Sequence, residues 1–340
     1  SARRDRGSGR DLVRAGPSCR RALSGVRPRR GHRAPVPCPR RYRRHLGPAS
    51  RETGGAEGRA LNEVAHFRVD ILVSTVENCF PIQVISDIAC RSAKFAPHVE
   101  IWDIPTDDLW RRDSGPTFVR ASDGSLAVAQ IQFNGWGNKA AFAKCNIIPQ
   151  SIGTATNTPI LNLNSAMKIE GGAYEIDGNG VFMACKSSIL NNNRNPNMTQ
   201  TEAEEIFTKY LGVTNFIWLE GVAGLKITDM HIDGFAKFAN KNTLVTMSKN
   251  DLLYWQVPKA DADKLYAAKN RNNIAYNIVQ LPLTKNNVVT AYNKNLGYKG
   301  SYANYYIANT SVLVPNYNDP NDAVANQIIQ KLYPSRTVIG

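Results

Sequence analysis

At 340 residues the chain is long enough for one large domain or two ordinary ones, and its formal charge of +14 would suggest a nucleic-acid binder if that charge were spread over the molecule. It is concentrated instead: residues 1–60 hold 17 arginines, no lysine and four acids (Asp5, Asp11, Glu52, Glu57), a net +13, whereas the other 25 basic and 24 acidic residues leave +1. A nearly neutral body argues against nucleic acid as a partner, and no apolar run approaches the length of a membrane span.

The arm 1–60 has no Ile, Phe, Trp, Met, Lys, Asn or Gln. So few large apolar side chains cannot offset the entropy of ordering, and the segment is expected to be disordered. Three readings of it compete. It is a tail for nucleic acid or an anionic surface, a transit peptide whose glycines and prolines spoil the usual amphipathic helix, or out-of-frame translation of GC-rich sequence. The abrupt change of composition near Leu61 and the start at Ser1 favour the last.

From residue 61 to 340 the pattern is strand, strand, helix, several times over. Val69–Ser74 and Val99–Ile104 are β-rich runs. Thr117–Arg120 and Leu126–Phe133 flank the turn Ser122-Asp123-Gly124, and Ala173–Ile176 and Val181–Cys185 flank Asp177-Gly178-Asn179-Gly180. Thr199-Gln200-Thr201-Glu202 is a capping box that opens a helix to about Leu211, and Phe216–Leu219 is again a strand. Gly234–Phe238 pairs with Thr243–Met247, Pro258–Lys269 reads as a helix, and Tyr302–Ala308 pairs with Ser311–Val314. Asp319-Pro320 starts a helix with an apolar stripe of Val324, Ile328 and Leu332. Thr337-Val338-Ile339 begins one more strand. The periodicity predicts an α/β fold of repeated units around an axis more than one long parallel sheet.

Six cysteines are present and none has metal-ligand spacing. Cys79, Cys90, Cys145 and Cys185 lie in apolar surroundings such as Val181-Phe182-Met183-Ala184-Cys185, and buried, inert thiols in a reduced cytoplasmic protein are expected.

Two strings carry chemistry: Asp108-Leu109-Trp110-Arg111-Arg112-Asp113-Ser114-Gly115-Pro116 and Asp229-Met230-His231-Ile232-Asp233-Gly234. Neither reads as helix. Together they offer carboxylates for a cation, an aromatic face and an imidazole. Asp113 and Asp233 can each grip a guanidinium by paired charge-assisted bonds, Trp110 can lie against the planar group, and His231 can shuttle a proton. Taken singly, each string also has an ordinary reading, as a turn or a surface ion pair.

Further blocks occur in a fixed order: Phe133-Asn134-Gly135-Trp136-Gly137-Asn138-Lys139, Glu170-Gly171-Gly172, Leu190-Asn191-Asn192-Asn193-Arg194-Asn195-Pro196, Tyr210-Leu211-Gly212-Val213 with Ile217-Trp218-Leu219, and Ser301-Tyr302-Ala303-Asn304-Tyr305-Tyr306-Ile307-Ala308-Asn309. With the two strings, and over about Val69 to Gly340, the chain resembles the agmatine deiminase family, relatives of bacterial-type peptidylarginine deiminases in the guanidino-modifying superfamily. The resemblance implies a five-fold pseudo-symmetric, pentein-like α/β propeller around a central pocket, incomplete at its C-terminus. It implies a small guanidino substrate, agmatine, hydrolysed to N-carbamoylputrescine and ammonia through a covalent thiouronium, with no metal and no organic cofactor. It assigns Asp113 and Asp233 to the guanidinium, His231 to acid/base work, Glu170 and Asn304 to the substrate pocket beside Trp110, and Trp136 and Arg194 to the scaffold.

The string Thr228-Asp229-Met230-His231 departs from the Asp-Gly-His of agmatine-specific members, so peptidyl-arginine stays open as the substrate. The family's nucleophile is a cysteine in a Gly-rich turn after a strand like the one at Thr337; no cysteine here lies in such a turn, and the chain stops at Gly340. A truncated, inactive deiminase is expected, with a non-catalytic guanidinium- or polyamine-binding protein as the other class. A homo-oligomer stays open.

Overall fold

The computed structural model describes Trp102 and residues 104–340 except Ala291. The arm 1–60, the strand expected at Val69–Ser74, most of that at Val99–Ile104, and Cys19, Cys38, Cys79 and Cys90 lie outside the described residues.

Among the described residues four three-stranded sheets share one connectivity. In the first, β1 (Thr117–Arg120) and β2 (Leu126–Gln130) form an antiparallel hairpin, the chain crosses through helix Ile148–Thr156, and β3 (Ile160–Asn162) returns parallel to β2. The second repeats this with β4 (Tyr174–Ile176), β5 (Val181–Cys185), helices Lys186–Ile189 and Gln200–Leu211, and β6 (Asn215–Leu219). The third has β7 (Ala236–Asn240), β8 (Thr243–Thr246), helices Lys249–Tyr254 and Lys259–Tyr266, and β9 (Asn277–Gln280). A separate antiparallel pair, β10 (Leu283–Val289) and β11 (Asn295–Ser301), precedes the fourth sheet. That sheet comprises β12 (Tyr306–Ile307), β13 (Ser311–Leu313), helix Asp322–Leu332 and β14 (Thr337–Ile339).

The central strand of each sheet is the second strand of its hairpin, which explains the sequence of β5. Every residue of Val181-Phe182-Met183-Ala184-Cys185 is buried, and a strand covered on both faces is continuously apolar rather than alternating. On one side Phe182 stacks on Phe207 with ring centroids 4.3 Å apart and packs against Trp218. On the other, Val181, Met183 and Cys185 join Leu219, Ile232, Phe235 and Leu244. Each such large side chain contributes about 1.5–3 kcal/mol by leaving water. Helix Gln200–Leu211 supplies Ala203, Phe207 and Leu211 from one face, opens on the Thr199/Glu202 capping box and ends at Gly212, whose φ of 68° a glycine adopts without strain.

Several expectations are corrected. Arg111–Ser114 forms one helical turn and Ile232–Gly234 a 3-10 turn, where non-helical loops were expected; Pro116 then prevents the first from continuing. The helix expected over Pro258–Lys269 is confined to Lys259–Tyr266. The stripe Val324, Ile328, Leu332 is turned by one position: Ala325 and Ile329 are the buried residues, and Val324 is 45 % exposed. The small Ala325 lets the helix sit against Val312 of β13, and Ile328 and Leu332 flank that seam.

Candidate active site

The four sheets deliver their polar residues from one topological position, the segment just ahead of the first strand. Asp113 precedes β1, Glu170 precedes β4, His231 and Asp233 precede β7, and Asn304 precedes β12. Residues far apart in sequence converge because equivalent approaches of several units meet. One ligand atom each from Asp113, His231 and Asp233 falls within 4.8 Å of the others. Gly172 forms the floor between them. A Cβ there would stand 2.6 Å from Asp113 Oδ1, Asp233 Oδ2 and His231 Nδ1 alike, so only glycine permits the arrangement.

Asp113 accepts from the Gly172 backbone N–H at 2.9 Å and from the Trp136 indole at 3.0 Å, and its Oδ1 stands 3.5 Å from His231 Nδ1. Asp233 Oδ2 accepts from Asn304 Nδ2 at 3.2 Å and forms an ion pair with Arg112, whose Nε lies 3.1 Å away. Arg112 also pairs with Glu175, which the buried Lys237 reaches at 2.8 Å. Behind the imidazole, His231 Nε2 lies 3.2 Å from Glu170 Oε2.

Burial pushes the Asp233 carboxyl up, with Arg112 and His231 opposing and Asp113 reinforcing the rise. Burial alone would lower the His231 pKa, but Asp113, Glu170 and Asp233 outweigh it, and the direction is upward from 6.5. Lys237 is lowered by burial, against the pull of Glu175. The imidazole is thus favoured as imidazolium and the carboxylate facing it is harder to ionise, which is a poised acid and a site short of one cation.

The triangle opens into a cleft of about 370 Å³. Asp108, Trp110, Trp136, Lys226, Trp255 and Asn304 are among its walls. Trp110 stands at the rim, 58 % exposed. Asp113, His231, Asp233, Trp110 and Asn304 are therefore brought together. Glu170 does not line the cleft: it is 1 % exposed and held from behind by Arg194, a partner of His231 rather than a wall of the pocket. Trp136, expected as scaffold, lines the cleft and fixes Asp113. Arg112 was not singled out, although it is the immediate neighbour of Asp113; Glu175 and Lys237 carry no local signal, since their pairing is made across 62 positions.

Asp113, His231 and Asp233 are close enough to ligate one metal ion. Their carboxylates accept N–H groups from Trp136, Gly172 and Asn304, each of these oxygens keeping a further lone pair. Two planar carboxylates with that remaining acceptor capacity suit the paired N–H bonds of a planar cation. Cys145 and Cys185 are both fully buried and neither is on the cleft wall. Cys145 packs against Thr106 Oγ1 at 3.2 Å, among Phe133, Trp136 and Ile148.

The family model described as Porphyromonas-type peptidyl-arginine deiminase matches residues 56–340. The chain is 26 % identical over 304 residues to an agmatine deiminase of Pseudomonas syringae pv. tomato, covering 82 % of this chain and 81 % of that protein. Among solved structures it is similar to agmatine deiminase of Enterococcus faecalis, with a TM-score of 0.66 at 22 % identity over 78 % of this chain and 77 % of that one, a likeness of fold. It is also similar to a cysteine-to-serine variant of C. jejuni agmatine deiminase with substrate bound, with a TM-score of 0.62 at 25 % identity over 78 % and 75 % of the two chains.

Proposed function

This chain belongs to the Porphyromonas-type peptidyl-arginine deiminase family, and from that premise we propose that its cleft hydrolyses a guanidino group, converting agmatine to N-carbamoylputrescine and ammonia. One observation carries the reading: two carboxylates and an imidazole lie within 4.8 Å around a floor that has no side chain. On the same reading the four like-connected sheets are units of a five-fold propeller about that cleft.

Asp113 and Asp233 accept the guanidinium N–H groups and neutralise a cation that stays charged throughout the physiological range. A thiolate adds to the central carbon. His231, as imidazolium, gives its proton to the departing nitrogen, ammonia leaves and a thiouronium remains. Neutral His231 then takes a proton from the attacking water, and the thiolate departs from the ureido product. The raised His231 pKa serves the first of these steps. The thiolate is assigned to neither Cys145 nor Cys185, both shut off from the cleft, and burial pushes the Cys185 thiol up and away from the reactive form.

The test is direct. The chain 1–340, mixed with agmatine in a calorimeter, is expected to bind it, and Asp113→Asn is expected to lose the binding. Ammonia release that is lost in Cys145→Ala or Cys185→Ala would overturn the exclusion of those two cysteines; no binding by the unaltered chain would overturn the guanidino reading itself.

A second substrate is favoured by Lys226. Its ammonium lies on the cleft wall, 4.7 Å from the Trp255 ring and 5.2 Å from that of Tyr298. Agmatine brings a second cation, which Lys226 would repel; an arginine with a free carboxylate would be attracted. Tighter binding of a peptide ending in arginine than of agmatine, abolished by Lys226→Ala, would establish the peptidyl substrate.

A further inference from the structure

Behind His231 lies a chain of charged groups that no substrate can touch. Arg194 is fully buried, and its Nε donates to both oxygens of Glu170, at 2.8 and 2.9 Å. Its Nη1 donates to Asp229 at 2.6 Å and to Asn193 Oδ1 at 2.9 Å, and its Nη2 to the Thr228 carbonyl at 3.2 Å. Asp229, 1 % exposed, also takes Lys139 Nζ at 2.6 Å, Asn193 Nδ2 at 3.2 Å and the Gly224 N–H at 2.6 Å, while its carbonyl accepts from Ser187 Oγ at 2.7 Å. None of Glu170, Arg194 and Asp229 is on the cleft wall.

The two carboxylates joined by Arg194 meet His231 from different directions. Glu170 meets the imidazole itself at Nε2. Asp229 meets its backbone: it stands two residues before His231 in a segment where Asp229 and Met230 have φ of 57° and 70°. Consecutive non-glycine residues in that region are strained and persist only where surrounding bonds over-determine them. Here the Asp229 bonds are those bonds. A planar guanidinium can serve both carboxylates at once, whereas an ammonium is a point donor.

We propose that Arg194 is a positioning residue for the proposed chemistry, a buried bridge that fixes His231 at both its backbone and its ring through Asp229 and Glu170. With the bridge in place, Glu170 keeps its negative charge against Nε2, and Nδ1 is left facing Asp113 and the cleft. Without it, the Glu170 carboxylate is no longer shared with a guanidinium and acts on the His231 imidazolium alone, while the Asp229 bonds that fix the backbone are weakened. The charged groups facing the ring are Asp113 from the turn before β1, Glu170 from the approach to β4 and Asp233 from its own segment, the last tied to Arg112. Removing Arg194 changes only the Glu170 contribution directly.

The inference rests on the guanidino reading only for its choice of ligand. Histidine-labelled chain 1–340 is titrated by NMR as wild type, Arg194→Met and Arg194→Lys, and agmatine affinity is measured on each. The His231 midpoint is expected to rise by about one pH unit in Arg194→Met, with agmatine binding weakened about ten-fold or more. Arg194→Lys, which keeps the charge but not the fork, is expected to shift both in the same direction by less. A folded Arg194→Met with unchanged midpoint and affinity overturns the proposal; should that variant not fold, an unchanged midpoint in folded Arg194→Lys does so. If the wild type binds no agmatine, the function reading fails, while the His231 midpoint still decides the role of Arg194.

Discussion

Met230 shows how much a single backbone angle constrains this site. It is 5 % exposed, packs in the core beside Ile232 and Phe235, and touches the cleft, yet its φ is 70°. The preceding Asp229 tolerates a left-handed angle, as short polar side chains do, but a long thioether does not do so willingly, at about 1–2 kcal/mol. Two effects therefore oppose each other at this position. Truncating the side chain removes buried surface and opens a cavity, about 2–5 kcal/mol, while glycine also releases the strain. Met230→Ala loses the packing and keeps the unfavourable angle; Met230→Gly loses slightly more packing and sheds the angle. Urea denaturation is expected to rank the glycine variant above the alanine variant by about 1 kcal/mol, against the usual order of the two residues. Alanine ranking higher would mean that the segment does not hold the positive φ in solution.

Helix Gln200–Leu211 concentrates its start signal in two residues. The Thr199 hydroxyl accepts from the Glu202 N–H at 3.2 Å, and the Glu202 carboxylate accepts from the Thr199 N–H at 2.7 Å. Thr199→Ala is expected to cost about 1 kcal/mol by thermal unfolding; no loss would show that the Phe207 and Leu211 packing holds the helix without its cap. Such local devices made part of the fold legible in the sequence. The capping box located this helix, and two turn strings located the hairpins β1–β2 and β4–β5. Helix Ile148–Thr156 escaped notice because Ile-Pro-Gln-Ser-Ile-Gly-Thr-Ala-Thr mixes helix breakers and β-branched residues; it is held by packing on β2 and by Ile152 and Ile148 in a shared core. The hairpin β10–β11 escaped for the opposite reason, since half of its residues are exposed and no alternation marks its faces. The site divides in the same way. Asp113, His231 and Asp233 stand in short strings whose residue types announce a cation and a proton. The rear support does not, because Arg194 finds Glu170 and Asp229 across 24 and 35 positions, and only the assembled loops bring them together.

Across the whole molecule, four units placing polar residues at one spot concentrate acidic charge where the fold excludes water, and this makes stability and ligand binding respond to pH with opposite slopes. The His231 pKa is raised from 6.5, so its contribution to stability is complete below about 6.5 and is lost as pH rises through the higher folded value. Asp233 is raised from 3.8; its protonated form is the one the fold favours, so that contribution too declines as pH climbs through its folded value. Asp229 works the other way. Burial opposes its ionisation, but Lys139, Arg194 and the Gly224 N–H hold the carboxyl at about 2, so its contribution is present above 3.8 and lost as pH falls toward 2. The ligand-free chain is therefore expected to be most stable in mildly acid solution. A guanidinium stays charged throughout, and deprotonating Asp233 adds an attraction while deprotonating His231 removes a repulsion. Between roughly pH 6 and 8, where histidine titrates, the melting temperature of the free chain is expected to fall while the agmatine Kd tightens, and saturating agmatine should flatten the fall by linkage. The measurement is a pair of curves, melting temperature and Kd against pH, on the wild type and on Asp233→Asn. Curves that decline together would contradict a cation cradle built on Asp113, Asp233 and His231, because protonation would then be helping the ligand instead of competing with it.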